Sequence, residues 1–251
     1  MLNLRHRVGS SISALWLLSQ GSIVERSQIL MYHSVGGHAD GDLKGIYSVS
    51  VENFRRQMTS LFDLCDRGIT KVVPFGQEQP GALSITFDDG YEDNFTVATS
   101  ILEDFHFPFH IFINPLLVME CASRMLSLSQ IKDLAQHPLA SVGIHGYSHT
   151  PLTELSLEQV KTEIISATAW LEDIIQQPVT TLSYPHGAVN LAITHVAHQC
   201  GIQRAASSKF GPTSNCSDPL NLPRIDIWSS DSIKSFESKI SGGWDWMKWR
   251  T

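Results

Sequence analysis

Ala82-Leu-Ser-Ile-Thr-Phe-Asp-Asp-Gly90 joins a six-residue run of strand character to two adjacent carboxylates and a glycine. The β-branched and aromatic content of residues 82–87 predicts a buried strand, and Asp-Gly predicts a turn at its carboxyl end. A helix follows, with Phe95, Ala98, Ile101, Leu102 and Phe105 on one side. Strand, polar turn and helix in that order make one βα unit. The two carboxylates admit two readings. Either both are solvated in an ordinary Asp-Gly turn, or they share a cation, because like charges taken out of water raise one another's pKa.

The same alternation extends to both sides. Gln28 to His33 reads as a strand, and Ser50 is placed to cap a helix carrying Phe54, Met58, Leu61, Phe62 and Cys65, with Gly68 ending it. Ile69 to Val73, Phe109 to Ile113 and Ser141 to Ile144 read as further strands, the last two separated by a short helix around Ser129 to Gln136. Ser156 and Gln159 have capping-box spacing at the start of a helix that ends near Ile175, where Pro178 prevents continuation. Thr181 to Tyr184, Arg204 to Ser207 and Leu222 to Ile227 complete the strands, with a helix from Val189 to Cys200 among them. Such an α/β chain forms either a (β/α) barrel or an open doubly wound sheet. Periodicity leaves both open.

Composition narrows the function. The chain has 251 residues, 42% hydrophobic and 17% charged, enough for a sizeable core. A net charge of −7 lacks the basic footprint that wraps a phosphate backbone, so nucleic acid is excluded as a main partner. No apolar run approaches the ~20 residues of a transmembrane span. Residues 26–240 read as one main domain. Residues 1–25 carry Arg5 and Arg7 ahead of Ile12 to Leu18, and read as a short amphipathic helix or a weak signal-like segment. Residues 241–251 form a tail with Trp244, Trp246 and Trp249, expected to pack on the outside of the domain or to stack on sugar rings or a membrane interface. Cys65, Cys121, Cys200 and Cys216 form no CxxC pair and read as reduced thiols, which points to the cytoplasm; a working signal in residues 1–22 would place the protein outside it.

Two further clusters follow strand ends, the edge at which ligands collect in both architectures. His145-Gly146-Tyr147-Ser148-His149 offers two imidazoles from a loop, and Ser183-Tyr184-Pro185-His186-Gly187 makes a sharp turn. Two histidines and a carboxylate from a third strand end make a three-ligand metal set; the alternative is a pair of surface histidines and an ordinary turn.

Taken in this order, the clusters resemble the polysaccharide deacetylase family (the NodB-homology, carbohydrate esterase family 4 group). TFDDG at Thr86 to Gly90 resembles its first motif, and His145 with His149 its H-x-x-x-H pair. SYPHG at Ser183 to Gly187 is similar to the third motif, MYHSV at Met31 to Val35 to the opening strand, and Leu222-Pro223-Arg224-Ile225 to a late strand. The resemblance implies a distorted (β/α) barrel of about seven strands and metal-dependent removal of an N-acetyl group from an N-acetylated glycan or glycan precursor. It implies a divalent metal, Zn²⁺ foremost, on Asp89, His145 and His149, with Asp88 as general base and the His186 backbone N–H aiding an oxyanion. His33, Tyr184, Pro185 and Asp226 would contact substrate.

Three departures from the family pattern stand out. Gly146 occupies a position often held by Ser or Thr, and Ser183 stands where an Arg commonly pairs with the base. Arg224, held by Asp226, is the replacement guanidinium this reading offers, the alternative being a surface or barrel-end ion pair. The third departure is the absence of a carboxyl-terminal His as proton donor, since the last histidine is His198; His186 and His33 are the substitutes, beside the metal-bound water or the substrate itself. Two other functions stay open: an amidohydrolase of the same fold acting on a non-sugar amide, and a glycan-binding protein without catalysis.

Overall fold

The computed structural model describes residues 26–39, 42–120, 124–214 and 216–249. The expectations for residues 1–25 and for Cys121 lie outside them. The elements in chain order are β1 (Gln28–Tyr32), β2 (Ser34–Val35), β3 (Ser48–Val49), α1 (Val51–Asp66), β4 (Lys71–Val72) and β5 (Ala82–Phe87). A π-helical turn (Asn94–Ala98) runs into α2 (Thr99–Asp104), followed by β6 (Phe109–Ile113), α3 (Pro115–Glu120), α4 (Leu128–Gln136), β7 (Ala140–Ile144) and α5 (Leu157–Ile175). Then come β8 (Thr181–Ser183), α6 (Leu191–Gln199), β9 (Arg204–Phe210), β10 (Leu222–Asp226) and α7 (Ile233–Ile240).

Seven parallel strands close a barrel in the order β1-β10-β9-β8-β7-β6-β5, with β5 returning to β1. The closing pair runs in register from Gln28↔Leu83 to Tyr32↔Phe87. All five residues of β1 and all six of β5 are buried, as expected of parallel strands covered on both faces. The barrel alternative is therefore the correct one, and the open sheet is not. β4 pairs only with the first two residues of β5 and stands outside the ring.

Local chemistry sets the helix starts. Ser50 accepts a hydrogen bond from the Asn53 amide to cap α1, and Ser156 with Gln159 forms a complete capping box on α5. A second complete box, Ser127 with Gln130, opens α4 one residue before the expected start. Helix α3, helix α7 and the β2–β3 pair were not legible in the sequence pattern, being short or lacking a clear period.

The outer faces of the strands pack under the helices, where Phe87 meets Phe109 edge-on at 6.2 Å and Tyr32 meets Phe54 of α1 at 5.2 Å. The inward positions that alternate with them carry Ile29, Phe112, Ala206 and Leu222, clustered with Phe75. His110 lies 2.6 Å from Ser141 Oγ and 3.1 Å from Thr181 Oγ1, bridging three strands. Burial pushes its pKa down to about 3 against the pull of Asp88, so the ring is neutral. These groups leave no room beside Gly143 on β7, where a Cβ would lie 2.7 Å from His110 Nε2 and 2.9 Å from the Thr181 carbonyl oxygen. Gly143→Ala is expected to cost ~1–3 kcal/mol by overpacking, read as a lower urea midpoint at unchanged slope.

Candidate active site

The site is assembled from strand ends. Asp88 and Asp89 follow β5, His145 follows β7, Ser183 closes β8 and His33 follows β1, while Arg224 lies within β10. The side chains of His33, Tyr47, Asp88, Asp89, His145, His149 and His186 line one cavity of about 480 Å³.

Asp89 Oδ1 lies 3.3 Å from His145 Nε2 and 3.2 Å from His149 Nε2, and it is buried without a hydrogen bond. One ligand atom from each of these residues falls within 4.8 Å of the others. His145 Nδ1 sits 2.8 Å from the Ser183 carbonyl oxygen, an acceptor that requires a proton on Nδ1 and leaves the Nε2 lone pair facing Asp89. Asn114 Nδ2 donates to the His145 carbonyl and steadies the same loop. A buried carboxylate oxygen set against two imidazole nitrogens, one with its tautomer fixed by an outer partner, fits a divalent cation. Asp89, His149 and His186 hold φ of +74°, +60° and +57°. A left-handed backbone costs a non-glycine residue ~1–2 kcal/mol, and three such residues meet in this one cavity.

Asp88 has a different environment. Arg224 grips it with two hydrogen bonds, Nη1 to Oδ1 at 2.7 Å and Nη2 to Oδ2 at 2.6 Å. Ser183 Oγ donates to Asp88 Oδ2 at 3.1 Å and accepts from Arg224 Nη2 at 2.9 Å. Burial pushes the Asp88 carboxyl up, but Arg224, His145 and His33 outweigh it and hold it at about 2. The guanidinium expected at Ser183 thus comes from Arg224, and the small hydroxyl at Ser183 leaves space for it. Asp226 does not hold Arg224. The Arg224 head is fixed by the Ser207 carbonyl, Thr86 Oγ1 and Ser183 Oγ instead.

Gly146 also has a local cause. Its φ is +62°, and a Cβ there would sit 2.7 Å from Pro185 Cγ, so a side chain at this position would clash with the third motif. The loop is steadied by Glu163 of α5, whose Oε2 accepts from the Tyr147 and Ser148 amides at 2.8 and 2.9 Å. Nothing in the helical pattern around Glu163 marked it for this task.

The remaining expected residues take distinct places. Tyr184 is buried, its hydroxyl donating to the Leu220 carbonyl, and Pro185 is buried against the Gly146 turn. Both shape the wall from behind. His186 is exposed at the rim of the cavity, with Nε2 3.1 Å from the His149 carbonyl; partial desolvation of its ring there, together with the nearby His149 ring, lowers its pKa. His33 packs on Tyr47 with ring centres 4.5 Å apart and planes tilted by 39°, and its Nδ1 is buried with no hydrogen bond. Asp226 accepts from Trp228 Nε1 at 2.7 Å; burial pushes its carboxyl up against the pull of Lys239.

Two of the tail tryptophans, Trp244 and Trp246, join that corner. Trp244 is buried edge-on against Trp228 at 5.9 Å and stacks with Trp246 at 6.0 Å. Lys239 Nζ lies 3.7 Å from the Trp228 ring centre and pairs with Asp231 at 2.6 Å.

Comparison with known proteins agrees with this geometry. The family model for polysaccharide deacetylases matches residues 76–205. YxkH of Bacillus subtilis (strain 168), whose name assigns it to the polysaccharide deacetylases, is 26% identical over 218 residues, 84% of this chain and 75% of its own. Among solved structures, the polysaccharide deacetylase BC0361 from Bacillus cereus superposes with a TM-score of 0.73 at 25% identity, covering 86% of this chain and 69% of its own. The Streptococcus pyogenes deacetylase PplD shares the fold at a TM-score of 0.74 and 22% identity, over 86% of this chain and 98% of its own. Because the family model spans just over half of the 251 residues and its three motifs converge on one cavity, the chain belongs to the polysaccharide deacetylase family.

Proposed function

We propose that this protein hydrolyses the N-acetyl group of an N-acetylated sugar unit in a polysaccharide or glycan precursor, with a divalent metal held by Asp89, His145 and His149. The observation that carries this reading is the pairing of two adjacent carboxylates with opposite tasks: Asp89 faces two imidazoles, and Asp88 is gripped by a buried arginine. Zinc suits the mixed imidazole and carboxylate donor set, and such an ion, when bound, supplies Lewis-acid polarisation of the amide carbonyl. Asp88, kept anionic by Arg224, accepts the proton of the attacking water. Arg224 and Ser183 hold the carboxylate in one orientation.

The leaving amine needs a proton, and His33 is the donor in this proposal. It lines the cavity beside Asp88 and Asp89, whereas the Nε2 of the exposed His186 faces the His149 carbonyl. Tyr47 supports the His33 ring from one face.

The test is acetate release from N-acetylated chitooligosaccharides and from a partly acetylated polysaccharide, with elemental analysis of the same preparations. Asp89→Asn and His145→Ala are expected to lose metal and turnover together. His33→Ala is expected to lower kcat by ~10²–10⁴-fold, the range for a general acid, with His186→Ala well below it. Absence of metal after reconstitution would sink the hydrolytic reading, and a larger loss in His186→Ala than in His33→Ala would move the proton donor to His186.

A further inference from the structure

The catalytic reading leaves one charged residue of the cavity without a task. Asp42 lines it together with Ala39 and Tyr47, all from the segment between β2 and β3. Hydrogen bonds hold that segment in place: the Asp42 carbonyl accepts from the Gly45 amide at 2.9 Å, and the Ile46 carbonyl accepts from the Ser229 amide at 2.7 Å. Asp42 Oδ2 accepts from the Tyr47 amide at 2.6 Å. Both residues are half-buried, so they meet the cavity from fixed positions.

Charge balance sets Asp42 apart from the other acids. The lining includes three carboxylates and no Lys or Arg. Asp88 is matched by Arg224, and Asp89 faces two imidazoles. Among the described residues, the Asp42 side chain takes only the Tyr47 amide, a neutral donor on one of its oxygens. Its Oδ1 is neither hydrogen-bonded nor sealed away, unlike Asp89 Oδ1. The Tyr47 hydroxyl has its pKa pushed up, first by Asp226, then by burial and then by Asp42. The fields of two carboxylates therefore meet at the Tyr47 end of the cavity.

An open carboxylate beside an aromatic ring suits an ammonium group. Such a group brings several N–H donors and the opposite charge, whereas a sugar hydroxyl brings a single neutral donor. The proposed reaction itself supplies one. Hydrolysis adds water across the amide C–N bond, releases acetate and leaves on the sugar an amine that takes up a proton. On a glycan chain, the unit next to a remaining N-acetyl group then carries a cation.

We propose that Asp42, with the Tyr47 ring beside it, is a specificity-determining subsite for the ammonium of a neighbouring, already de-N-acetylated sugar unit, so that the preferred substrate is a partly deacetylated glycan. Although it rests on the N-deacetylase reading, the subsite is tested by binding, without turnover.

Chitobiose and cellobiose are the probes, because they share rings and linkage and differ by an amine in place of one hydroxyl on each ring. Their affinities for the full-length, zinc-reconstituted protein are measured by titration calorimetry. At low ionic strength chitobiose is expected to bind ~5-fold more tightly, the upper scale of one partly exposed charge pair, and the ratio should fall as salt is added. Asp42→Asn keeps an acceptor for the Tyr47 amide but removes the charge, and should bring the ratio to about one. Asp42→Glu should retain most of it. The ratio is read within each protein, so a general loss of affinity in a variant cancels. In acetate release, mono-N-acetylated chitobiose should show a similar advantage in kcat/KM over the di-N-acetylated sugar. Equal affinities, equal kcat/KM values, or a chitobiose preference that survives Asp42→Asn and vanishes in Asp89→Asn, as for an amine bound to the metal, would overturn the proposal. Absence of acetate release from every N-acetylated sugar, with an Asp42-dependent chitobiose preference intact, would overturn the catalytic reading and leave the ammonium subsite standing.

Discussion

Asp88→Asn is expected to lower kcat by ~10²–10⁴-fold while leaving bound metal at its wild-type content. The amide keeps the shape of the carboxylate and still accepts a hydrogen bond from Arg224, but it cannot take a proton from water. The separation of tasks between neighbours is what the measurement reads. Asp89 Oδ1 faces His145 and His149, whereas both oxygens of Asp88 are engaged by Arg224. Elemental analysis and acetate release on one preparation distinguish them: Asp88→Asn keeps metal and loses turnover, and Asp89→Asn loses both. Full turnover in Asp88→Asn would remove Asp88 from the role of base.

Arg224→Met is expected to cost ~3–5 kcal/mol of folding stability at pH 7, because it leaves a buried carboxylate without its counter-ion. Arg224 is 1% exposed and Asp88 2%, so solvent cannot substitute. The sign of the pH dependence follows from the same pair. In the native chain Asp88 is held at about 2, below an ordinary Asp near ~3.9, so its stabilising contribution is present above the unfolded value and is lost as pH falls toward 2. Without the guanidinium, burial acts with less opposition and the folded pKa moves up; the destabilisation then grows as pH rises through it. The gap between native and Arg224→Met stability in urea should therefore be largest at neutral pH and shrink toward pH ~4. The acid limb of the kcat/KM profile should shift upward in the same variant. Adding Asp88→Asn to Arg224→Met should restore most of the stability and none of the turnover. A pH-independent gap would show that the pair contributes little.

Much of the site was legible before any fold was known. Thr86 to Gly90, His145 with His149, and Ser183 to Gly187 each follow a strand whose β-branched run identifies it, and such strand ends converge in either α/β architecture. Capping residues such as Ser50, Ser156 and Gln159 marked helix starts because the hydrogen bonds they make are local. What the tertiary structure alone decided is long-range. Barrel closure rests on β1 meeting β5, and periodicity reports which faces an element buries without naming the partner. The Asp88–Arg224 pair joins residues 136 apart, while the obvious neighbour for Arg224, Asp226, turns instead to Trp228. Gly146 reads as a loop departure until Pro185 is placed against it, and nothing in the sequence singles out Glu163 until the loop is seen folded over it. Local sequence determines which residues stand at strand ends, because backbone preference and capping act over a few residues; which of them touch is determined by packing, which acts across the whole chain.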